Sequence, residues 1–155
     1  MLAVRLIQMI EDHAEALTEG LIKDLRNNPR TPHYHHLTFA EIHYRTYSVY
    51  RNLSRWVSER NEELIAANYA DLAIHRYKEG VPLEEIVFAL ISTKNHLYAY
   101  IQSSGLMDSA MELHQERELR RLIGNFFDKA IYHTVRAYER EAALPHPRTA
   151  LKAAA

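Results

Sequence analysis

Cysteine is absent from this 155-residue chain, so no disulfide can staple it and no thiolate can act as nucleophile or metal ligand. A chain of this length makes one ordinary domain and can bury a core without staples. The missing cysteine fits a reducing cytosol, and a cytoplasmic location is the expectation. Glycine is scarce at 4 residues and proline at 5, which favours helices over a turn-rich β fold. An excess of one charge is lacking too, with 19 Lys and Arg against 20 Asp and Glu. Such a chain has no bulk pull toward nucleic acid or an anionic membrane, and neither partner is expected. Long apolar runs are missing: MLAVRLIQMIEDHAEAL is interrupted by Arg5, Glu11 and Asp12, which excludes a signal peptide or membrane span at this end.

Apolar residues recur instead at the 3.6 period of amphipathic helices, and five helical segments are predicted. The first covers residues 2–27, with Leu6, Ile7, Ile10, Ala14, Leu17, Leu21 and Leu25 on one stripe, and Pro29 and Pro32 end it. The second begins at Thr38, which with Glu41 forms a capping box, while Leu37 and Ile42 are placed as a hydrophobic staple. Its stripe runs to residue 57, and Ser58 is the expected cap of the third, which Gly80 stops. The fourth starts at GVPLEEI, with Pro82 in the first turn and Glu84 and Glu85 facing the positive dipole end. The last, capped by Asp108 or Ser109, runs to Leu144. At ~1.5 Å per residue it spans ~50 Å, more than a domain of this size needs for its own core. The fold class is therefore all-α: five helices in an antiparallel bundle with a long last helix, covering residues 1–144. Residues 145–155, LPHPRTALKAAA from Leu144 on, read as a linker or an added tail.

Chemistry-bearing motifs are mostly missing. There is no glycine-rich phosphate loop, no G-x-S-x-G turn, no H-E-x-x-H and no repeated E-x-x-H pair. No catalytic residue is assigned, and enzymatic function is not expected. Ten histidines remain. His33, His35, His36 and His43 cluster at the connector and are candidate ligands for a transition metal, although no carboxylate or thiolate completes a set. His75 and His96 raise haem ligation by a helical histidine. Lys94 falls inside an apolar stripe, which calls for a partner, a ligand or snorkelling to the edge. With Tyr98, Trp56 and His96 it defines a candidate ligand-binding site. Ten tyrosines, among them Tyr44, Tyr47 and Tyr50, suit a pocket wall, an interface or the polar rim of a core. On the last helix, Leu119, Leu122, Ile123, Phe126, Phe127, Ala130 and Ile131 form a stripe wide enough to face the core and a second copy of the chain, and these are the candidate dimer interface.

Three segments carry a family resemblance: LRNNPRTPHY at 25–34, VYRNLSRW at 49–56 and EGVPLEEI at 79–86. Together they cover most of residues 15–100. The chain resembles the RsbRD-type amino-terminal domain, a helical module at the front of stressosome RsbT co-antagonists and of some bacterial sensor kinases. The resemblance implies a non-catalytic sensory or regulatory input domain, homodimeric, that passes a signal through its last helix to a carboxy-terminal STAS or kinase output domain. It also implies that the arrangement is globin-like without haem, where the periodicity alone fits a simple bundle equally well. The alternative is a helical protein that binds a small ligand, haem or a metal.

Overall fold

The computed structural model describes residues 4–58, 62–104 and 110–145. Among them the chain is all-helical, without a strand. Its helices are α1 (Val4–Asp12), α2 (Ala14–Asn27), α3 (Phe39–Arg51), α4 (Leu53–Trp56), α5 (Glu62–Lys78), α6 (Leu83–Ser103) and α7 (Ala110–Ala143), with a 3₁₀ turn at Pro32–His35. Two of the five expected helices are interrupted, and in each case a side chain competes for a helix carbonyl. At His13 the ring Nδ1 sits 2.8 Å from the Met9 carbonyl, and the His13 amide is shared between Met9 and Ile10. At Asn52 the backbone amide, the Asn52 side-chain amide and the Trp56 indole all donate to the Ser48 carbonyl. The periodicity survives these breaks, so the pattern alone does not reveal them.

Other helix ends follow the chemistry of their sequence. The Thr38 hydroxyl accepts the Glu41 amide at 3.3 Å and the Glu41 carboxylate accepts the Thr38 amide at 2.6 Å, closing the capping box. Leu37 and Ile42, the expected staple, are both buried. Gly80 ends α5 with φ 78°, a conformation that costs glycine little. Around it, the Val81 amide donates to the Arg76 carbonyl and the Gly80 amide to the Tyr77 carbonyl. This is the paired pattern of a Schellman turn, with Val81 buried beyond it. Pro82 then precedes α6 and its carbonyl accepts the Ile86 amide. The start of the third expected helix at residues 59–61, the caps at Asp108 and Ser109, Gly105 and the tail from 146 onward lie outside the described residues.

One core joins the elements, and α6 runs through it, packed on α1, α2, α5 and α7. Antiparallel packing holds for α6 and α7, where Tyr98 meets Arg120. It does not hold for α5 and α7, which run parallel: Glu62 reaches Lys129 and His133, and Tyr77 lies against Tyr138. This explains the length of α7. Its first half covers α6 and its second half covers α5, so its own domain uses the helix as far as Tyr138. The stripe proposed for a second copy is turned inward: Leu119, Ile123 and Ala130 are fully buried, Leu122, Phe126 and Phe127 nearly so, and Ile131 packs at the edge of the core. Apart from the partly exposed Ile131, these residues present no free surface to a partner. No helix among the described residues is long and apolar enough to cross a membrane.

Candidate functional site

The connector after α2 is closed by its own polar groups. Thr31, fully buried, donates from its hydroxyl to the Leu25 carbonyl at 2.7 Å and so satisfies the open end of α2. The Asn28 side chain accepts the Arg30 amide, and the Asn28 carbonyl accepts the Thr31 amide. The 3₁₀ turn that follows is clamped to α6 by Glu85. That carboxylate accepts the His33 amide at 3.1 Å and lies 2.9 Å from His33 Nδ1. Glu85 is only 3 % exposed, so it is a buried clamp as well as an acidic residue near a helix start.

Behind the clamp lies Tyr34, buried, with the Arg76 guanidinium over its ring at 5.5 Å. Arg76 projects from the last turn of α5 and is 4 % exposed. One terminal nitrogen meets Glu79 at 2.9 Å and the other donates to the Glu41 carbonyl at 3.0 Å. One cation thus ties together the ends of α3 and α5 and the connector. Its Nε is buried with no hydrogen-bond partner among the described residues.

Arg76 is part of the wall of a partly open cavity of about 40 Å³ between α3, α5 and α6. The polar wall is Tyr34, Arg45, Thr46, Tyr69, Arg76 and Thr93, and the apolar wall includes Leu25, Ile42, Val49, Leu72, Ile86 and Leu90. Arg45 faces outward to Asp71 at 2.7 Å, which holds the Asp71 carboxyl below its usual range. Thr93 uses its hydroxyl on the Ala89 carbonyl. The Thr46 and Tyr69 hydroxyls have no hydrogen-bond partner among the described residues. Burial pushes the Tyr69 phenol far above its ordinary value, and Arg45 offsets this only in part. Burial raises Tyr34 too, against the pull of Arg76. Both phenols therefore keep their protons near neutral pH and present donors.

The residues singled out by the sequence are distributed differently. Lys94 and Tyr98 do come together, with the ammonium 5.8 Å from the ring centre and the Arg120 guanidinium at 5.1 Å. The Tyr98 hydroxyl donates to the Arg120 carbonyl. Lys94 is half-buried and finds its partner in that ring, so it asks for no ligand. His96 lies 3.6 Å from Asp24 on another face, and Trp56 packs on Tyr69 and Phe126. The four connector histidines also part ways. His33 meets Glu85, His35 lies 2.8 Å from the Asn28 carbonyl, and His43 stacks on Tyr47 and reaches Glu15. His36 continues the turn through its backbone. Among the described residues no group of three or more His, Asp or Glu is arranged to hold a metal ion. His75 pairs with Asp71 at the surface, and neither it nor His96 lines the cavity.

Sequence reasoning missed Arg76 and Glu85 as buried groups. Arg76 sits at a helix end where cations are ordinary, and Glu85 at a helix start where carboxylates are ordinary. Arg76 has a local partner in Glu79, but the Glu41 carbonyl lies 35 residues from it and the His33 partner of Glu85 lies 52 residues away, so no local pattern marks either as buried.

The cavity is also linked to the far end of α7. The Arg76 carbonyl accepts the Val81 amide, and the Val81 carbonyl accepts the Tyr138 hydroxyl at 2.8 Å. The Tyr77 ring packs edge-on against Tyr138, with centroids 5.3 Å apart. Comparison with family models, with curated proteins and with solved structures finds no match to this chain.

Proposed function

We propose that the chain is a non-catalytic sensory or regulatory input domain. Occupancy of the cavity beside Arg76 biases the Arg76 turn, and α7 carries the change toward an attached output domain. The observation that supports this reading is the run of contacts from the cavity wall through Arg76 and Val81 to Tyr138. It joins a buried polar node to the end of α7 by hydrogen bonds, and a small shift of such a node moves a packed helix as a body. The resemblance to RsbRD-type domains points the same way, with a globin-like helical arrangement without haem, a STAS or kinase domain as the output and a homodimer as the working form. In such a dimer the contact surface would be a face of the chain other than the buried stripe of α7.

Hydrogen exchange of the purified chain tests the relay. Arg76→Lys is expected to loosen amides in the second half of α7 along with those of the connector, and Tyr138→Phe to uncouple the two. A response confined to the connector and the end of α5 would remove the relay. Sedimentation equilibrium addresses the assembly, and a strictly monomeric chain at high concentration would remove the symmetric dimer. The readings that place haem or a transition metal on the histidines find less support, because those histidines take separate partners.

A further inference from the structure

We propose that this partly open cavity is a binding site for a small monocarboxylate of the size of acetate or propionate. The inference rests on the sensory reading of the same cavity and names the class of ligand it would take. Among the described residues the hydroxyls of Tyr69 and Thr46, both on residues of the wall, make no hydrogen bond, and the Nε of Arg76, a third wall residue, is buried without one. The guanidinium nitrogen can only donate, and the phenol and the threonine hydroxyl are free to donate. Arg76 places a guanidinium on the wall and its carboxylate partner Glu79 sits toward the outer side, 27 % exposed, while Arg45 turns outward to Asp71. A guest that supplies acceptors and negative charge suits these groups. An amine would meet the Arg76 guanidinium with only hydroxyl oxygens to receive its protons, and a neutral alkane would leave the donors unsatisfied.

Size sets the second limit. A water needs roughly 10–15 Å³ of such space, so the cavity has room for ~3 waters or a guest of ~4 to 5 non-hydrogen atoms. The rest of the wall is aliphatic, with Leu72 and Leu90 among its members, and suits a short alkyl tail better than it suits water. A carboxylate head against the donors with one or two carbons toward the leucines meets both requirements.

The chain carries its own reporter, since its single tryptophan, Trp56, packs edge-on against Tyr69 with ring centroids 6.4 Å apart. Sodium propionate titrated at constant ionic strength is expected to change Trp56 emission saturably, with a Kd on the order of 1 mM, and to raise Tm. Tyr69→Phe keeps the ring and removes one donor, and is expected to weaken binding about tenfold. Ala89→Val fills part of the cavity and is expected to abolish the response. If that variant does not fold, the Tyr69→Phe comparison still decides.

A response no different from that of sodium chloride would mean that the cavity holds water only and would overturn the proposal. Unchanged affinity in Tyr69→Phe would overturn it as well. Nitrate binding as tightly as propionate would replace the carboxylate class with a general anion site. The titration reads the cavity alone: saturable binding that leaves α7 exchange unmoved would sink the relay and keep the ligand, and the relay variants without binding would do the reverse.

Discussion

The connector from Asn28 to Leu37 and the helix α7 are held by opposite means. The connector buries Tyr34 and Leu37 in the core but is positioned by single directed polar contacts, with the Thr31 hydroxyl on the end of α2, Glu85 on His33, and Arg76 over Tyr34. Helix α7 is held by a dense apolar face in which Leu119, Ile123, Phe127 and Ala130 are almost wholly enclosed. Apolar burial is additive and undirected, so α7 is seated firmly without being fixed in angle. A hydrogen bond to a buried carboxylate has one geometry, so the connector is positioned closely at little gain in stability. The molecule thus keeps its stability in one region and its specificity in the other, and substitutions should separate the two.

The largest effect is expected in α7. Phe127→Ala removes a ring that is 1 % exposed and packs edge-on against Phe126. The loss should be about 3–5 kcal/mol, as for other buried aromatic truncations, read as a fall in the urea midpoint with m little changed. A loss under about 1 kcal/mol would mean that the stripe is not the seat of stability. In the connector, Glu85→Ala deletes both contacts to His33. Hydrogen bonds to charged groups contribute about 1.5–3 kcal/mol, and the half-exposed His33 puts the expected loss near the low end. Its mark is local: faster exchange of the connector amides, with those of α7 unaffected.

Much of this contrast was legible in the chain and part was not. The capping box at Thr38, the stop at Gly80 and the stripe of α7 need only neighbours within one or two turns, and each is where the pattern places it. A stripe states which face is apolar but not what covers it, so the same residues read equally well as core or as dimer surface. The parallel packing of α5 on α7 decides between them, and it depends on how α6 reverses the chain. The cavity was illegible for a related reason. Tyr69 and Leu72 read as ordinary core positions, and the missing partners of Arg76 and Tyr69 are properties of the assembled wall.

A smaller effect is expected at the join between the two regions. Thr38→Ala opens the box that aims the connector into α3, with a cost of about 1 kcal/mol. A full loss of α3 protection would instead make the cap essential to the fold. Within α7, Gly124 sits where an added Cβ would come 3.2 Å from the Tyr98 hydroxyl. Gly124→Ala gains about 1 kcal/mol of helix propensity but presses on the bond from Tyr98 to the Arg120 carbonyl. In the wild-type background the two should nearly cancel. In a Tyr98→Phe background, where no hydroxyl is in the way, the alanine should stabilise by close to the full amount. Equal effects in both backgrounds would show that the hydroxyl yields freely.

The smallest effect lies at the surface where α5 meets α7. Glu62 accepts a hydrogen bond from His133 at 2.7 Å and lies 3.2 Å from the Lys129 ammonium. These contacts, His133 first and Lys129 second, hold its carboxyl below the ordinary value. A carboxyl lowered on folding stabilises the native state above its unfolded pKa of ~4.3, and that contribution fades as pH falls through the lower folded value. Wild type should therefore melt slightly above Glu62→Gln at neutral pH, and the two should converge in acid once the pH has fallen through the lowered folded value. Salt should narrow the gap, since the Glu62 carboxylate is exposed. A gap that widened in acid would reverse the sign. It would then mean that Glu62 is strained where α5 and α7 begin their parallel run, and that the apolar face alone sets their register.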